Sequence, residues 1–421
     1  MKRENLYYVL FEQQKEWEEE KEYVARELTG TILSLFRLKL PIIITGIRRS
    51  GKSTLLKLLK KELKLGNKAS LYINFNDERL IDFSVDDFQK ILEFLDEERY
   101  QKNGFLFIDE IQEVAHWEKW IDRIKEKHPL IITGSNSKLL SKEISTTLTG
   151  RSINTSLYPF SFREFLTARK IEWRPFRKDL SLQARIRKEF LEYCTKGGIP
   201  KAIIENEPRL LSEIYENILY RDIVKRFHPN LEKSVKETSL FLLSNISKPI
   251  SLRSLSEITG ITNLLTMKTL LNSFENAFLF SFVSKFDFSV KKQIQNPRKV
   301  YCTDFGFVTE VGFRFSEDRG RVIENLVLIE LKRRNKHVYY FSGKNECDFV
   351  LREGINIKEA IQVCYELTPD NKVREVNGLL EAMENFGLKE GLILTNDHKE
   401  EIVQNKKKIH IVPIWKWLLS V

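Results

Sequence analysis

Cysteine, methionine and long apolar runs are scarce in this sequence, and each scarcity narrows what the chain can be. Four cysteines occur in 421 residues, Cys194, Cys302, Cys347 and Cys364, and none stands in a CxxC or HxxxH spacing. That argues against a disulfide framework and against a zinc site, and a reducing cytoplasm fits best. No apolar run approaches the roughly 20 residues of a membrane span, so no membrane partner is expected. The N-terminus, MKRENLYYVLFEQQKEWEEE, turns acidic where a secretory leader would be apolar, so export is not expected either. Few methionines beside abundant Lys, Glu and Ile suit a heat-loving source and say nothing of activity. What is present is charge, 30% of residues against 42% hydrophobic, in a chain long enough for two to four domains. A net charge of +10 is compatible with a nucleic-acid partner, and equally with an ordinary protein rich in Lys and Glu.

The most informative stretch is Pro41 to Leu56, PIIITGIRRSGKSTLL. A short apolar run feeds into Gly46-x-x-x-x-Gly51-Lys52-Ser53, and an apolar-periodic segment follows: strand, glycine loop, helix, the context a P-loop requires. Glycines at 46 and 51 permit backbone torsions and close phosphate approach. The loop amides and new helix N-terminus form an anion nest. Gly46, Arg48, Arg49, Ser50, Gly51, Lys52, Ser53 and Thr54 are the expected nucleotide cradle, with Lys52 on the β- and γ-phosphates of ATP and Ser53 on Mg²⁺.

Gly104 to Glu110, GFLFIDE, reads as a buried parallel strand ending in acids at its carboxyl edge. Asp109 is expected to hold Mg²⁺ directly or through water, and Glu110 to orient and deprotonate the attacking water. Ala69 to Phe75 reads as another strand, and Leu130 to Asn136 as the next strand-to-loop transition. Ser135 or Asn136 there is either a sensor of the γ-phosphate or part of a plain turn. Arg151 is a candidate arginine finger, in cis or, in a homo-oligomer, in trans; a structural salt bridge is the competing reading. Residues 1 to 40 read as helix, anchored by Trp17, Tyr23, Val24 and Leu28, and Ile153 to Phe160 closes the sheet.

The combination of GIRRSGKS, FLFIDEIQEVAHWEKWI, ITGSNSKLL, LTGR, YPFSFREFL, GGIP and YRDIV resembles the archaeal and bacterial P-loop ATPases of the AAA+-related group. These carry an AAA-type N-terminal domain and a C-terminal domain described as nuclease-like. The resemblance spans nearly the whole chain and implies Lys52, Ser53, Asp109 and Glu110 in the roles above.

Residues 235 to 303 have the rhythm of three helices and a hairpin: Thr238 to Ile246, Leu252 to Thr259, Asn263 to Ala277, then strands at Phe278 to Phe286 and Val300 to Thr303. This resembles a winged helix, with Thr262, Asn263, Thr266, Lys268 and Thr269 near the exposed face of its third helix. Lys291, Lys292, Arg298 and Lys299 flank the expected wing. Such a module grips DNA or docks a protein. Further on, Glu324, Asp348 and Gln362 resemble the PD-(D/E)xK nuclease core, in which acids converge on Mg²⁺ and a lysine assists the water. Gln362-Val363-Cys364 departs from that pattern, placing an amide and a thiol where an acid and a lysine are expected, with Glu346 and Glu366 nearby. Two strands around Val338 to Leu351, a strand at Ala360 to Leu367, and a helix, strand, helix series at Val373 to Phe386, Gly391 to Thr395 and Ile409 to Leu418 complete the tail.

The expected fold is α/β: a P-loop NTPase domain of AAA+ type over 1–160, a helical lid or linker over 161–234, a winged helix over 235–305 and a degenerate nuclease-like domain over 306–421. The expected activity is ATP hydrolysis coupled to DNA binding or remodelling, or else a nucleotide-dependent switch that docks a protein partner, or an ATP-regulated nuclease.

Overall fold

The computed structural model describes residues 1–135, 151–174, 176, 179–312 and 319–420. The chain divides into two compact units, residues 1–157 with 276–278, and 158–275 with 279–421.

The first unit is a five-stranded, wholly parallel sheet in the order β2-β3-β4-β1-β5. Its strands are β1 (Ile42–Thr45), β2 (Ser70–Asn74), β3 (Phe105–Asp109), β4 (Leu130–Gly134) and β5 (Ile153–Ser156). Helices α3 (Lys52–Glu62), α4 (Phe88–Glu97) and α5 (Trp117–Ile124) make the crossovers, so both faces of the sheet are covered. Alternation along β1 divides the core. Ile42 and Ile44 pack with Leu55, Leu56 and Leu59 of α3, while Ile43 joins Leu71, Ile73, Leu106, Ile108 and Ile132 on the opposite face.

The N-terminal segment is two helices rather than one: α1 (Arg3–Glu18) and α2 (Glu27–Leu35), with a non-helical link over 19–26. Leu6, Val9, Leu10, Gln13, Gln14 and Trp17 form the buried stripe of α1. The acidic run Glu18-Glu19-Glu20 falls at the helix C-terminus, where the macrodipole disfavours negative charge, and the helix stops there. Gln13 and Gln14 then finish the sheet. β2 is an edge strand, and the Gln14 amide accepts from Tyr72 N (3.3 Å) and donates to Tyr72 O (2.6 Å). Gln13 does the same for Asn74 (3.0 and 3.2 Å). Two side chains thus occupy the place of a sixth strand.

The second unit opens with α6 (Phe162–Ala168), α7 (Leu180–Lys196), α8 (Pro200–Glu205) and α9 (Arg209–Ile218). The YPFSFREFL stretch starts α6 through a reciprocal capping box between Ser161 and Glu164, while Arg163 is buried against Glu330 at 3.3 Å. GGIP is a packing device: a Cβ on Gly197, whose φ is +74°, would meet Asp304 Oδ1 at 2.0 Å, and Gly198 N donates to Asp304 Oδ2 at 2.8 Å. YRDIV falls in a π-helical turn, Leu219–Ile223, continuing α9.

Next come α10 (Glu232–Ser244), β6 (Pro249–Ile250), α11 (Leu252–Thr259), α12 (Leu264–Asn276), β7 (Phe280–Ser284), α13 (Val290–Gln295) and β8 (Arg298–Cys302). The three strands form an antiparallel sheet in the order β6-β8-β7. Gly260, at φ +71°, ends α11, and Asn263 Oδ1 starts α12 by accepting from Leu265 N (2.8 Å) and Thr266 N (3.2 Å).

After α14 (Phe305–Glu310) and α15 (Arg319–Arg333), a six-stranded mixed sheet follows in the order β13-β14-β12-β11-β10-β9. Its strands are β9 (His337–Ser342), β10 (Glu346–Glu353), β11 (Asn356–Val363), β12 (Glu390–Thr395), β13 (Glu400–Gln404) and β14 (Lys407–Pro413), with α16 (Pro369–Asn385) between β11 and β12 and α17 (Ile414–Leu419) at the end. The helix expected over Ile409 to Leu418 is thus mostly strand, and only its end is helical. Ile409, Ile411 and Pro413 alternate into the core, and Asn405 and Lys406, both at positive φ, close a two-residue hairpin.

Candidate active site

The loop between β1 and α3 begins with glycine for a packing reason. A Cβ on Gly46 would lie 2.2 Å from the Leu157 carbonyl oxygen. Gly51, the residue before α3, has φ 93°, a left-handed turn that glycine takes without strain. Arg49 takes φ 70° on the exposed side of the loop, and Arg48 is half-buried. Lys52 opens α3 and is only 4% exposed; its Nζ donates to Gly46 O (3.1 Å) and Ile47 O (3.4 Å) and lies 3.4 Å from Glu110 Oε1. Buried Arg26 donates to Ser50 O at 2.7 Å and steadies the loop from behind. The Ser50 hydroxyl is itself buried with no hydrogen-bond partner among the described residues. An ammonium, the N-terminus of α3 and an orphaned hydroxyl on one loop fit the oxygens of a polyphosphate.

Across from the loop, β3 delivers two acids with different surroundings. Asp109 is 1% exposed and accepts from two hydroxyls, Thr133 on Oδ1 and Tyr72 on Oδ2 at 2.9 Å, with the Ser53 hydroxyl nearby. Burial and the neighbouring Glu110 charge raise its pKa, and the three hydroxyls oppose that rise. Ser53 and Asp109 together offer hard oxygen donors, which suits Mg²⁺. Glu110 sits in the left-handed region, φ 53° and ψ 46°, a conformation costing on the order of 1 kcal/mol for a residue with a side chain. That twist lets Glu110 N donate to Thr133 Oγ1 (3.1 Å) while its carboxylate accepts from Ser135 N (3.1 Å) and Gln112 Nε2. Burial pushes the Glu110 carboxyl up, but Lys52, Gln112 and Arg48 outweigh it and hold it at about 2.

The structure therefore brings Lys52, Ser53, Asp109 and Glu110 together, with Thr54 half-buried in the first turn of α3. Ser135 bonds Glu110, whereas Asn136 and residues 148–150 lie outside the described residues. Arg151 has a side chain 62% exposed and pairs with Asp122 of α5 at 3.6 Å, a loose surface ion pair. Three residues of the site carry no motif. Tyr72 and Thr133 reach Asp109 from neighbouring strands, and Arg26 reaches the loop from before α2. Thr133 left a trace in the sequence, as a hydroxyl in an otherwise apolar central strand.

A second acid cluster lies in the C-terminal unit. It holds Glu324 of α15, Glu346 and Asp348 of β10, and Gln362 of β11, and at its centre stands Lys299 of β8. Lys299, one of the four basic residues expected to flank a wing that contacts phosphate, is 1% exposed, and its Nζ lies 3.1 Å from Glu324, 2.7 Å from Glu346 and 3.1 Å from Asp348. Strand register explains the correction. Alternation along β8 puts Lys299 on the same face as Tyr301, and both side chains bond Glu324 of α15 there. Gln362 is also committed: its amide donates to Glu375 at 2.7 Å and accepts from Asp348 N at 3.2 Å. Burial and the Asp348 charge push the Glu324 carboxyl up to about 8, against the pull of Lys299 and the Tyr301 hydroxyl. The donor set is satisfied by an ammonium and by N–H and O–H groups, so it does not fit a divalent ion, and among the described residues no group of three or more His, Cys, Asp or Glu forms a metal site.

Comparison with known proteins gives the following. Residues 39–166 match the model of the AAA domain, and residues 187–317 that of a domain of unknown function (DUF8612). An uncharacterised protein of Methanocaldococcus jannaschii is 35% identical over 401 residues, covering 90% of this chain and 88% of that protein. An uncharacterised protein of Haemophilus influenzae is 31% identical, covering 90% and 94%. Among solved structures, the Walker-type ATPase of Pyrococcus abyssi aligns at 14% identity and TM-score 0.47, covering 69% of this chain and 96% of that one.

Proposed function

This chain belongs to one family with those Methanocaldococcus jannaschii and Haemophilus influenzae proteins and matches the AAA domain over residues 39–166, and we propose that it binds ATP and hydrolyses it to ADP and phosphate. The observation that carries this is the meeting of Lys52, Asp109 and Glu110 beside the glycine turn and the N-terminus of α3. Ser53 and Asp109 would hold Mg²⁺, which when bound supplies positive charge against the phosphate oxygens. Lys52 binds the β- and γ-phosphates, and Glu110 takes the proton of a water attacking in line.

Lys52, Gln112 and Arg48 together hold Glu110 ionised, so it is ready to accept a proton. Lys52→Ala should abolish turnover and weaken ATP binding. Glu110→Gln should bind ATP nearly as wild type while slowing hydrolysis by about 10²-fold or more, as expected for loss of a general base. Normal turnover by Glu110→Gln would put the base elsewhere.

We read residues 235–305 as a winged-helix module coupled to that cycle, with DNA as partner. The net charge of +10 and the exposed Lys268, Lys291 and Lys292 support this. Exposed Leu265 (72%) and Leu264 (44%) on the first turn of α12 favour the second reading, docking of a protein. The C-terminal cluster, centred on Lys299, we read as structural rather than nucleolytic.

A further inference from the structure

We propose that Tyr72 is a positioning residue for the Asp109 carboxylate and thereby sets the Mg²⁺ dependence of nucleotide binding; this rests on the ATPase reading above. A carboxylate that must hold a cation, directly or through water, has to keep one orientation, and a side chain at a strand end is free to turn about its last torsion. Asp109 is held from both sides. Thr133 donates to Oδ1 and Tyr72 to Oδ2 at 2.9 Å. Ser53 is the hydroxyl expected to face the cation, so Thr133 and Tyr72 are the two that orient the carboxylate.

The sheet explains why a tyrosine can do this. β2 and β3 are parallel neighbours with Tyr72 opposite Phe107 and Asn74 opposite Asp109. Asp109 is therefore the diagonal neighbour of Tyr72 on the same face, a span that a long aromatic side chain covers. The ring is clamped as well as placed. Trp17 of α1 stacks on it at 4.4 Å with planes 4° apart, and Gln14 takes both backbone groups of Tyr72. Helix α1 thereby reaches the metal carboxylate through Trp17 and Tyr72.

Tyr72→Phe separates the hydroxyl from the packing, since the phenylalanine ring still stacks on Trp17. Full-length wild type and variant would be titrated with a non-hydrolysable, fluorescent ATP analogue, first in EDTA and then across a Mg²⁺ series, with thermal melting alongside. The expected result is equal affinity in EDTA, equal melting, and a Mg²⁺ requirement raised roughly tenfold, the scale of one lost hydrogen bond to a charged group. A variant whose Mg²⁺ series overlays the wild type overturns the proposal and leaves the ATPase reading standing. A variant weakened equally with and without Mg²⁺, with lowered melting, makes Tyr72 merely structural and overturns it too. Wild-type protein that binds no nucleotide at all removes both readings together.

Discussion

An ammonium shut among three carboxylates is costly to build and costlier to break. Lys299 is 1% exposed, and removing it leaves Glu324 and Asp348 buried without their cation. Loss of one partner from a buried pair typically costs about 3–5 kcal/mol, so Lys299→Met should lower the urea midpoint steeply. Lys299→Met combined with Asp348→Asn should recover part of the loss, because one stranded charge goes with it. The same cluster gives the protein a pH signature. The Glu324 carboxyl, pushed up to about 8 by burial and by Asp348, keeps its proton in the fold at pH values where the unfolded chain has released it. Its contribution is fully present below the ordinary glutamate value and falls as pH rises, flattening once the folded carboxyl itself ionises near 8. Unfolding free energy measured from pH 5 to 8 should decline for wild type, by at most about 1.4 kcal/mol per pH unit from this group, and decline less for Glu324→Gln.

At the level of elements, the edge of the parallel sheet makes the clearest demand. Tyr72 and Asn74 depend on Gln14 and Gln13 for hydrogen bonds that a neighbouring strand would otherwise supply. Gln14→Leu leaves a half-buried N–H and C=O unpaired, a loss of about 1–3 kcal/mol. Hydrogen exchange should quicken at the Tyr72 amide while those of β3 and β4 stay protected. Equal protection at Tyr72 would mean that α1 packs on the edge without completing it. These contacts also show where reading a sequence stops. The strand, glycine turn and helix from Ile42 to Glu62, and the apolar run ending in Asp109-Glu110, were legible because a local pattern carries each of them. Tyr72, Thr133 and Arg26 were not, because their roles come from strand register and from residues far apart in the chain. Lys299 is of the same kind: its charge points to solvent, and only its place on the Tyr301 face of β8, against Glu324, turns it inward. The final hairpin escapes a local pattern because its turn, Asn405-Lys406, lacks the glycine that usually marks one, although both residues take positive φ.

For the whole molecule, the choice between a nucleic acid and a protein partner turns on what the 235–305 segment exposes. Of the four basic residues expected to flank the wing, Lys291 and Lys292 are exposed on α13, Arg298 is half-buried beneath a contact with the Phe282 ring, and Lys299 is enclosed. Two lysines, with Lys268 on α12, would make only a small footprint for phosphate, so DNA held this way should bind weakly and respond sharply to salt. ATP turnover measured with and without duplex, single-stranded and branched DNA, at two salt concentrations, decides the matter. If DNA is the partner, turnover rises at low salt. Lys291→Glu with Lys292→Glu then removes the rise while leaving DNA-free turnover as it was, and neutralising the pair lowers the salt exponent of binding by about 2. If turnover ignores DNA at every salt concentration, Leu264 and Leu265 become the better guide to the partner. Exposed leucines on the first turn of a helix that would otherwise face a groove gain nothing from phosphate, and they gain most when another apolar surface covers them.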